Sequence, residues 1–261
     1  IKDYYKKITS QKCCSVFHYN ESLGEKNSVK KAEQELKNRY ESLENKYDKF
    51  LAENYDYKAN TYETNKINLL SNPTSLYAKQ PTVYYGLMYL AKNAKKEVKI
   101  HTPYIICNDY MYNELKNIKV PTTIMTNSAE NNGNIFGAVD YLNHKKDIIN
   151  TGVKIKEYEG GISYHGKSMT IDDDIAIVGS FNMDMRSAYI DTELMLVINS
   201  KDINKQLKAS MEEYEKKAAT VKNETEYSHI PEGMKMKELS DKKKNIKAWF
   251  GWAMNGLRFL F

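Results

Sequence analysis

From Pro81 onward the chain alternates between helical and strand periodicity, and this alternation constrains the fold more than any other feature. Over 83–93 apolar side chains recur at spacings of three and four, as on a helix that buries one stripe. A short run over 97–102, closed by Pro103, reads as a strand. A helix over 109–117 then precedes a strand ending at Thr126, and a helix over 135–150 precedes a strand over 153–158. Three short strands follow, and after them a charged helix over 201–221. Alternation of this kind packs helices against the faces of a mainly parallel or mixed sheet, which places the chain in the α/β class.

Ahead of this region, Val29, Ala32, Leu36, Tyr40, Leu43, Tyr47 and Phe50 fall on one stripe of a long amphipathic helix over 22–51. Such a helix lies on the protein body or pairs in a coiled coil. Residues 52–80, rich in Asn, Tyr and Thr, read as a polar connector. The organisation expected is a helical connector region over 1–80, an α/β unit over 81–222 and a tail over 223–261.

Apolar residues at 41% and charged residues at 28% exclude a disordered chain. No run approaches the roughly 18 apolar residues that span a bilayer. Cys13, Cys14 and Cys107 have neither metal-site nor disulfide spacing, which fits reduced thiols. The chain opens on Ile1 without a signal peptide and reads as a piece of a longer protein. From Lys235 to the end there are seven basic and two acidic residues, which equals the whole net charge of +5. Residues 1–234 are therefore neutral, which argues against a broad nucleic-acid face and for an anionic contact at the C-terminus.

The chemistry concentrates between Tyr164 and Asp184. His165 and Lys167 are two apart, so on a strand both face the same way. Asp172–Asp174 reads as the turn of a hairpin whose return strand runs over 175–178. Gly179 and Ser180 end that strand, and Asn182 comes back over the face of His165. Lys and Asn can donate to the non-bridging oxygens of a phosphodiester, where charge grows at five-coordinate phosphorus. A neutral imidazole can attack phosphorus and form a phosphohistidine, provided an acceptor holds its other nitrogen. Glu193, a carboxylate on the next apolar strand, is the acceptor this pattern suggests.

The spacing His-x-Lys, four residues, Asp, six residues, Gly-Ser-x-Asn resembles the second His-x-Lys-x4-Asp motif of the phospholipase D superfamily. The runs over 100–104, 120–128, 152–158 and 182–187 resemble bacterial cardiolipin synthases, so the likeness covers about residues 80–200. The resemblance implies a mixed sheet flanked by helices, as one half-domain of a two-motif enzyme. It implies His165 as phosphoryl acceptor or general acid, Lys167 and Asn182 as phosphate ligands, and Ser180 as a nearby hydroxyl contact. Glu193 would partner a catalytic histidine, Asp172 would make a structural ion pair, and no metal or cofactor is implied. None of His18, His101, His144 and His229 opens a complete His-x-Lys-x4-Asp pattern, so the second motif is expected from an upstream half or a homodimer partner.

The tail over 242–261 joins a basic lead to Trp249, Phe250, Trp252, Leu257, Leu260 and Phe261. It reads as an interfacial helix with its lysines set against anionic headgroups, or as a helix docked on the core. The function expected is a phosphatidyltransferase of cardiolipin synthase type, peripheral at the cytoplasmic face of the cell membrane, acting on phosphatidylglycerol-like lipids. A phospholipase D-type hydrolase or nuclease, and an inactive lipid-binding remnant, are the alternatives.

Overall fold

The computed structural model describes residues 21–51, 56–59, 61–74, 77–250 and 253–260; Cys13, Cys14, His18 and Trp252 lie outside them. The chain divides into two units between Thr61 and Tyr62. In the first, a helical turn at Glu21–Gly24 leads into helix α1 (Asn27–Leu51), which is kinked at Tyr47. The expected apolar stripe is there, and Val29, Leu36, Tyr40, Leu43 and Tyr47 are exposed along it.

The second unit is built on a nine-stranded mixed sheet. Its strands are β1 (Lys66–Ser71), β2 (Val98–His101), β4 (Thr122–Asn127), β5 (Lys154–Tyr158), β6 (Ser168–Ile171), β7 (Ile175–Gly179), β9 (Leu194–Asn199), β10 (Ala218–Val221) and β11 (Tyr227–His229). Across the sheet the order is β1-β9-β7-β6-β2-β4-β5-β10-β11. Strands β2, β4 and β5 run parallel, joined through helices α3 (Asp109–Lys116) and α4 (Ile135–Ile149), and the remaining pairings are antiparallel. Two-residue strands β3 (Ile105–Ile106) and β8 (Met183–Asp184) pair beside it.

Helix α2 (Thr82–Lys92) forms because Val83, Tyr84, Leu87, Met88 and Ala91 recur on one face, which it buries. That face joins Ile100, Ile124, Met169, Ile177 and Val197 in one core. Each such buried side chain contributes roughly 1.5–3 kcal/mol relative to exposure. Asn108 and Asn134 cap α3 and α4 by accepting backbone N–H bonds, which sets where each helix starts.

Two expectations give way. The helix predicted over 201–221 ends as α6 (Lys201–Glu215), and Ala218–Val221 becomes β10, antiparallel to β5. The sheet overrides helix propensity there, because Thr220 and Val221 suit a pleated surface. The connector over 52–80 contains β1, which pairs with β9 from Lys66↔Asn199 to Ser71↔Leu194. Its partner lies more than 120 residues away, so no local pattern reports it.

The tail forms helix α7 (Asp241–Phe250) and a 3₁₀ helix (Ala253–Leu260). Lys243, nearly buried, donates to the carbonyls of Ala129, Glu130 and Asn132 at 2.8, 2.5 and 3.0 Å. Arg258 donates from Nε to Asp140 Oδ1 at 2.7 Å and from Nη2 to the Cys107 carbonyl at 2.9 Å. Two of the cations expected to meet headgroups thus point into the protein. Trp249, Leu257, Phe259 and Leu260 face outward instead.

Candidate active site

His165, Lys167, Ser180 and Asn182 lie at one end of the strands, beyond the carboxyl ends of β2 and β7, where α/β sheets commonly bind ligands, whereas Asp172 lies at the other end. His165 and Lys167 do not lie on a strand, as the spacing suggested, but on the extended segment that leads into β6. Asn127 fixes this segment from the end of β4. Its Nδ2 donates to the carbonyls of Pro103 and Tyr164 at 2.8 and 2.9 Å, and its Oδ1 accepts from Tyr164 N at 2.8 Å. A side chain therefore replaces the missing backbone partner one residue before His165.

Lys167 turns toward His165. Its Nζ is 2.9 Å from Nδ1 and 3.2 Å from Nε2, and it donates to the His165 carbonyl at 2.8 Å. Partial burial, and then this neighbouring ammonium, hold the imidazole below its ordinary pKa, so it is neutral at pH 7. Burial also lowers the Lys167 ammonium, against the opposing pull of Glu193 and Asp184. A neutral nucleophile beside a desolvated cation is the pairing that attack on a phosphodiester requires.

The expected hairpin forms, with Asp172–Asp174 as its turn and Asp172 in the left-handed region at φ 51°. Among the described residues Asp172 makes no side-chain ion pair of the kind the resemblance implied. Its carboxylate accepts the backbone N–H groups of Lys95, Lys96 and Glu97 at 2.7–3.2 Å, tying the turn to the entry of β2. Burial raises its pKa, yet the three amides outweigh this and hold the carboxyl below its ordinary value. Asp173 takes the cations, pairing with Lys96 and Lys208. The turn residue nearest the strand end meets backbone rather than side chains, and that choice of partner reflects local geometry.

Gly179 is required by close approach: a Cβ there would fall 2.1 Å from the Leu194 carbonyl oxygen, where β7 presses on β9. The same approach brings Ser180 to Glu193, and the Ser180 hydroxyl donates to Glu193 Oε2. Ser187 Oγ donates to Glu193 Oε1 at 2.8 Å. The buried Glu193 is thus satisfied by two hydroxyls, and among the described residues no hydrogen bond joins it to His165. The expectation that Glu193 holds the His165 ring is corrected, because the β7–β9 register delivers it to Ser180 first.

Asn182 lies in the same network. Its backbone N and Nδ2 donate to Ser187 Oγ, both at 3.3 Å, while its Oδ1 is buried and without a hydrogen-bond partner among the described residues. Two clusters therefore face each other: His165 with Lys167, and Ser180, Asn182, Ser187 and Glu193. They are linked by the Gly179 N–H to the Lys167 carbonyl at 3.2 Å, and electrostatically by Glu193 acting on Lys167.

Sequence reasoning missed Asn127 and Ser187. Ser187 carries one local signal, since it sits three residues after Asp184, which caps helix α5 (Met185–Tyr189) by accepting the Ser187 N–H at 2.5 Å. Asn127 carries none, because its role depends on where Tyr164 arrives. His101, not part of the predicted site, is buried beside it, with Nδ1 3.3 Å from the Tyr164 hydroxyl and Nε2 3.2 Å from Glu215.

The family model described as cardiolipin synthase, PLD-like domain, matches residues 87–214. Cardiolipin synthase 1 of Staphylococcus epidermidis (strain ATCC 12228 / FDA PCI 1200) is 30% identical over 159 residues, covering 60% of this chain and 32% of the relative. Cardiolipin synthase 1 of Staphylococcus aureus (strain COL) is 27% identical over 192 residues, covering 70% of this chain and 38% of the relative. The chain thus spans about a third of the length of these curated relatives. Among solved structures, phosphatidylserine synthase of Haemophilus influenzae Rd KW20 superposes with a TM-score of 0.56 at 16% identity, covering 75% of this chain and 48% of that one. At that identity the likeness is one of fold alone. The family model over residues 87–214 and these curated relatives support a phospholipase D-superfamily, cardiolipin synthase-like protein.

Proposed function

We propose that this chain supplies one half-site of a phosphatidyltransferase of cardiolipin synthase type. The observation that carries the reading is Lys167 Nζ 2.9 Å from His165 Nδ1, with partial burial and that ammonium both favouring the neutral imidazole. A His165 nitrogen attacks phosphorus and forms a P–N bond as the ester P–O bond of the donor headgroup breaks. The departing alkoxide takes its proton from an acid on the second motif, supplied by an upstream half or a homodimer partner. Lys167 leaves the imidazole for the non-bridging oxygens, where charge develops. A glycerol hydroxyl of a second phosphatidylglycerol-like lipid then attacks, the P–N bond breaks, and the hydroxyl proton passes to the now basic second-motif group. Asn182, whose Nδ2 meets Ser187 Oγ at 3.3 Å, is the second donor, an amide, offered to those oxygens.

The site would work against a lipid surface. No helix among the described residues is long and apolar enough to cross a membrane. The outward-facing Trp249, Leu257, Phe259 and Leu260 offer an interfacial contact without one. The test is turnover of labelled phosphatidylglycerol by the protein carrying a complete pair of motifs, followed by mass analysis of acid-quenched peptides. A phosphatidyl adduct on His165, and loss of turnover in His165→Ala, are expected. Normal turnover by His165→Ala would sink the assignment.

A further inference from the structure

His165 lines a cavity of about 570 Å³ between α6 and the segment that joins β5 to β6. Tyr158, Tyr164 and Tyr214 form one wall, with ring centroids 4.8–6.0 Å apart in edge-to-face contact. Leu207 and Met211 of α6 form the other, and Ser163, Ser168 and Ser210 also line it. Apart from His165 itself, no lining residue carries an ionisable acid or base other than the tyrosine phenols.

The neutrality is constructed. Glu215 stands behind the tyrosines with its pKa held at about 2; burial raises it, but the His101, Lys156 and Lys99 contacts overcome this. Its charge is thereby spent on Lys156 at 2.6 Å and on His101, and the Tyr164 hydroxyl is tied to the far side of that His101. A second phosphate would enter this cavity without a counter-cation, and an ammonium would enter without a carboxylate, so burial of either is unfavourable. A group bearing hydroxyls and C–H faces meets serine hydroxyls and tyrosine rings, which suit both of its surfaces.

We infer that this cavity is the subsite for an uncharged polyhydroxyl group, of glycerol type, ester-linked to the phosphate held at His165 and Lys167. This assignment rests on the phosphate reading of the half-site given above. It makes α6, which carries none of the motif residues, the element that selects the alcohol. Leu207 and Ser210 then determine specificity through the shape of the cavity.

Titration calorimetry of the 261-residue chain with three soluble probes tests it: glycerophosphoglycerol, diethyl phosphate and dibutyl phosphate, all monoanionic diesters. Glycerophosphoglycerol is expected to bind about tenfold more tightly than either dialkyl ester, and Leu207→Trp, which fills the cavity, brings that ratio to near one. Ser210→Tyr, on the exposed side of α6, serves the same purpose should the first variant fold poorly. Equal binding of the three diesters by the wild type overturns the inference, and so does a preference for dibutyl phosphate, which would mark the cavity as one for acyl chain. A ratio unchanged in both variants overturns it as well. Lys167→Ala reports separately on the phosphate: if it weakens none of the probes, the half-site reading fails whatever the ratio.

Discussion

Lys167 keeps a positive charge within hydrogen-bond distance of His165, and both groups are partly withdrawn from water. Burial, together with the ammonium, disfavours imidazolium, so the expected midpoint of a His165 titration lies below the ordinary value of about 6.5. NMR observation of the imidazole across pH 4–8 measures it, and Lys167→Met should move the midpoint upward by removing one of the two causes. A wild-type midpoint at or above 6.5 would contradict the geometry. Asp172 makes a different kind of claim, because its partners are backbone amides. Asp172→Ala leaves three donors without their acceptor and should cost about 1–3 kcal/mol by denaturant unfolding. Asp172→Asn keeps one acceptor oxygen and tolerates the left-handed backbone, so it should cost less. Equal losses for the two variants would mean that the carboxylate does not organise the turn. At this scale the sequence spoke clearly only where chemistry has a fixed spacing. His165, Lys167 and Asp172 were legible as a motif, whereas the partners of Asp172 and Glu193 depend on which backbone or hydroxyl arrives from another strand.

Among the elements, the short helix α5 shows how the site is held at a cost. Asp184 caps it from a buried position, and burial raises the carboxyl to about 6 despite the bonds from Ser187. Against an unfolded value near 3.9, the folded state takes up the proton between about pH 4 and 6. The contribution of this group to stability is therefore complete below about pH 4 and is lost as pH rises through 6. Asp184→Asn keeps a capping oxygen without the charge, so it should raise stability at pH 7.5 by about 1–3 kcal/mol. The advantage should vanish near pH 4, and thermal unfolding at the two pH values reads both outcomes. An advantage that persists at pH 4 would point to packing rather than charge. Asp184 also pulls Lys167 toward its charged form, which is a reason for a carboxylate to stand there. Helices α2, α3 and α4 and the longer strands between 82 and 199 could be read from periodicity because each buries one face locally, whereas β3, β8 and α5 are too short to carry a period. Strand β1 and the end of α6 could not, since each is decided by a strand far away in sequence.

For the whole molecule, the tail is where the sequence could be read two ways; the structure docks Lys243 and Arg258 on the body and leaves Trp249, Leu257, Phe259 and Leu260 exposed, as the proposed lipid contact needs. Arg258 and Asp140 form a pair that is mostly removed from solvent, and Lys243 closes three carbonyls of the loop before α4. Breaking a buried pair by removing one partner typically costs about 3–5 kcal/mol, because the other charge is left buried alone. Arg258→Gln should therefore lower the unfolding temperature and loosen the tail. With those two cations turned inward, fewer lysines remain to face a membrane, and about 1 kcal/mol each is available from those near an anionic surface. In the proposed lipid contact the outward-facing Trp249 and Phe259 should then carry the larger share, and burial of apolar area is not screened by salt. Trp249→Ala combined with Phe259→Ala should leave the unfolding temperature nearly unchanged, since both side chains are exposed, yet weaken co-sedimentation with anionic vesicles several-fold at both low and high salt. Lys242→Gln with Lys247→Gln should weaken binding only at low salt. If the aromatic variant binds vesicles as the wild type does while Arg258→Gln still destabilises the fold, the tail serves as a brace for α4 and the lipid contact lies elsewhere on the protein.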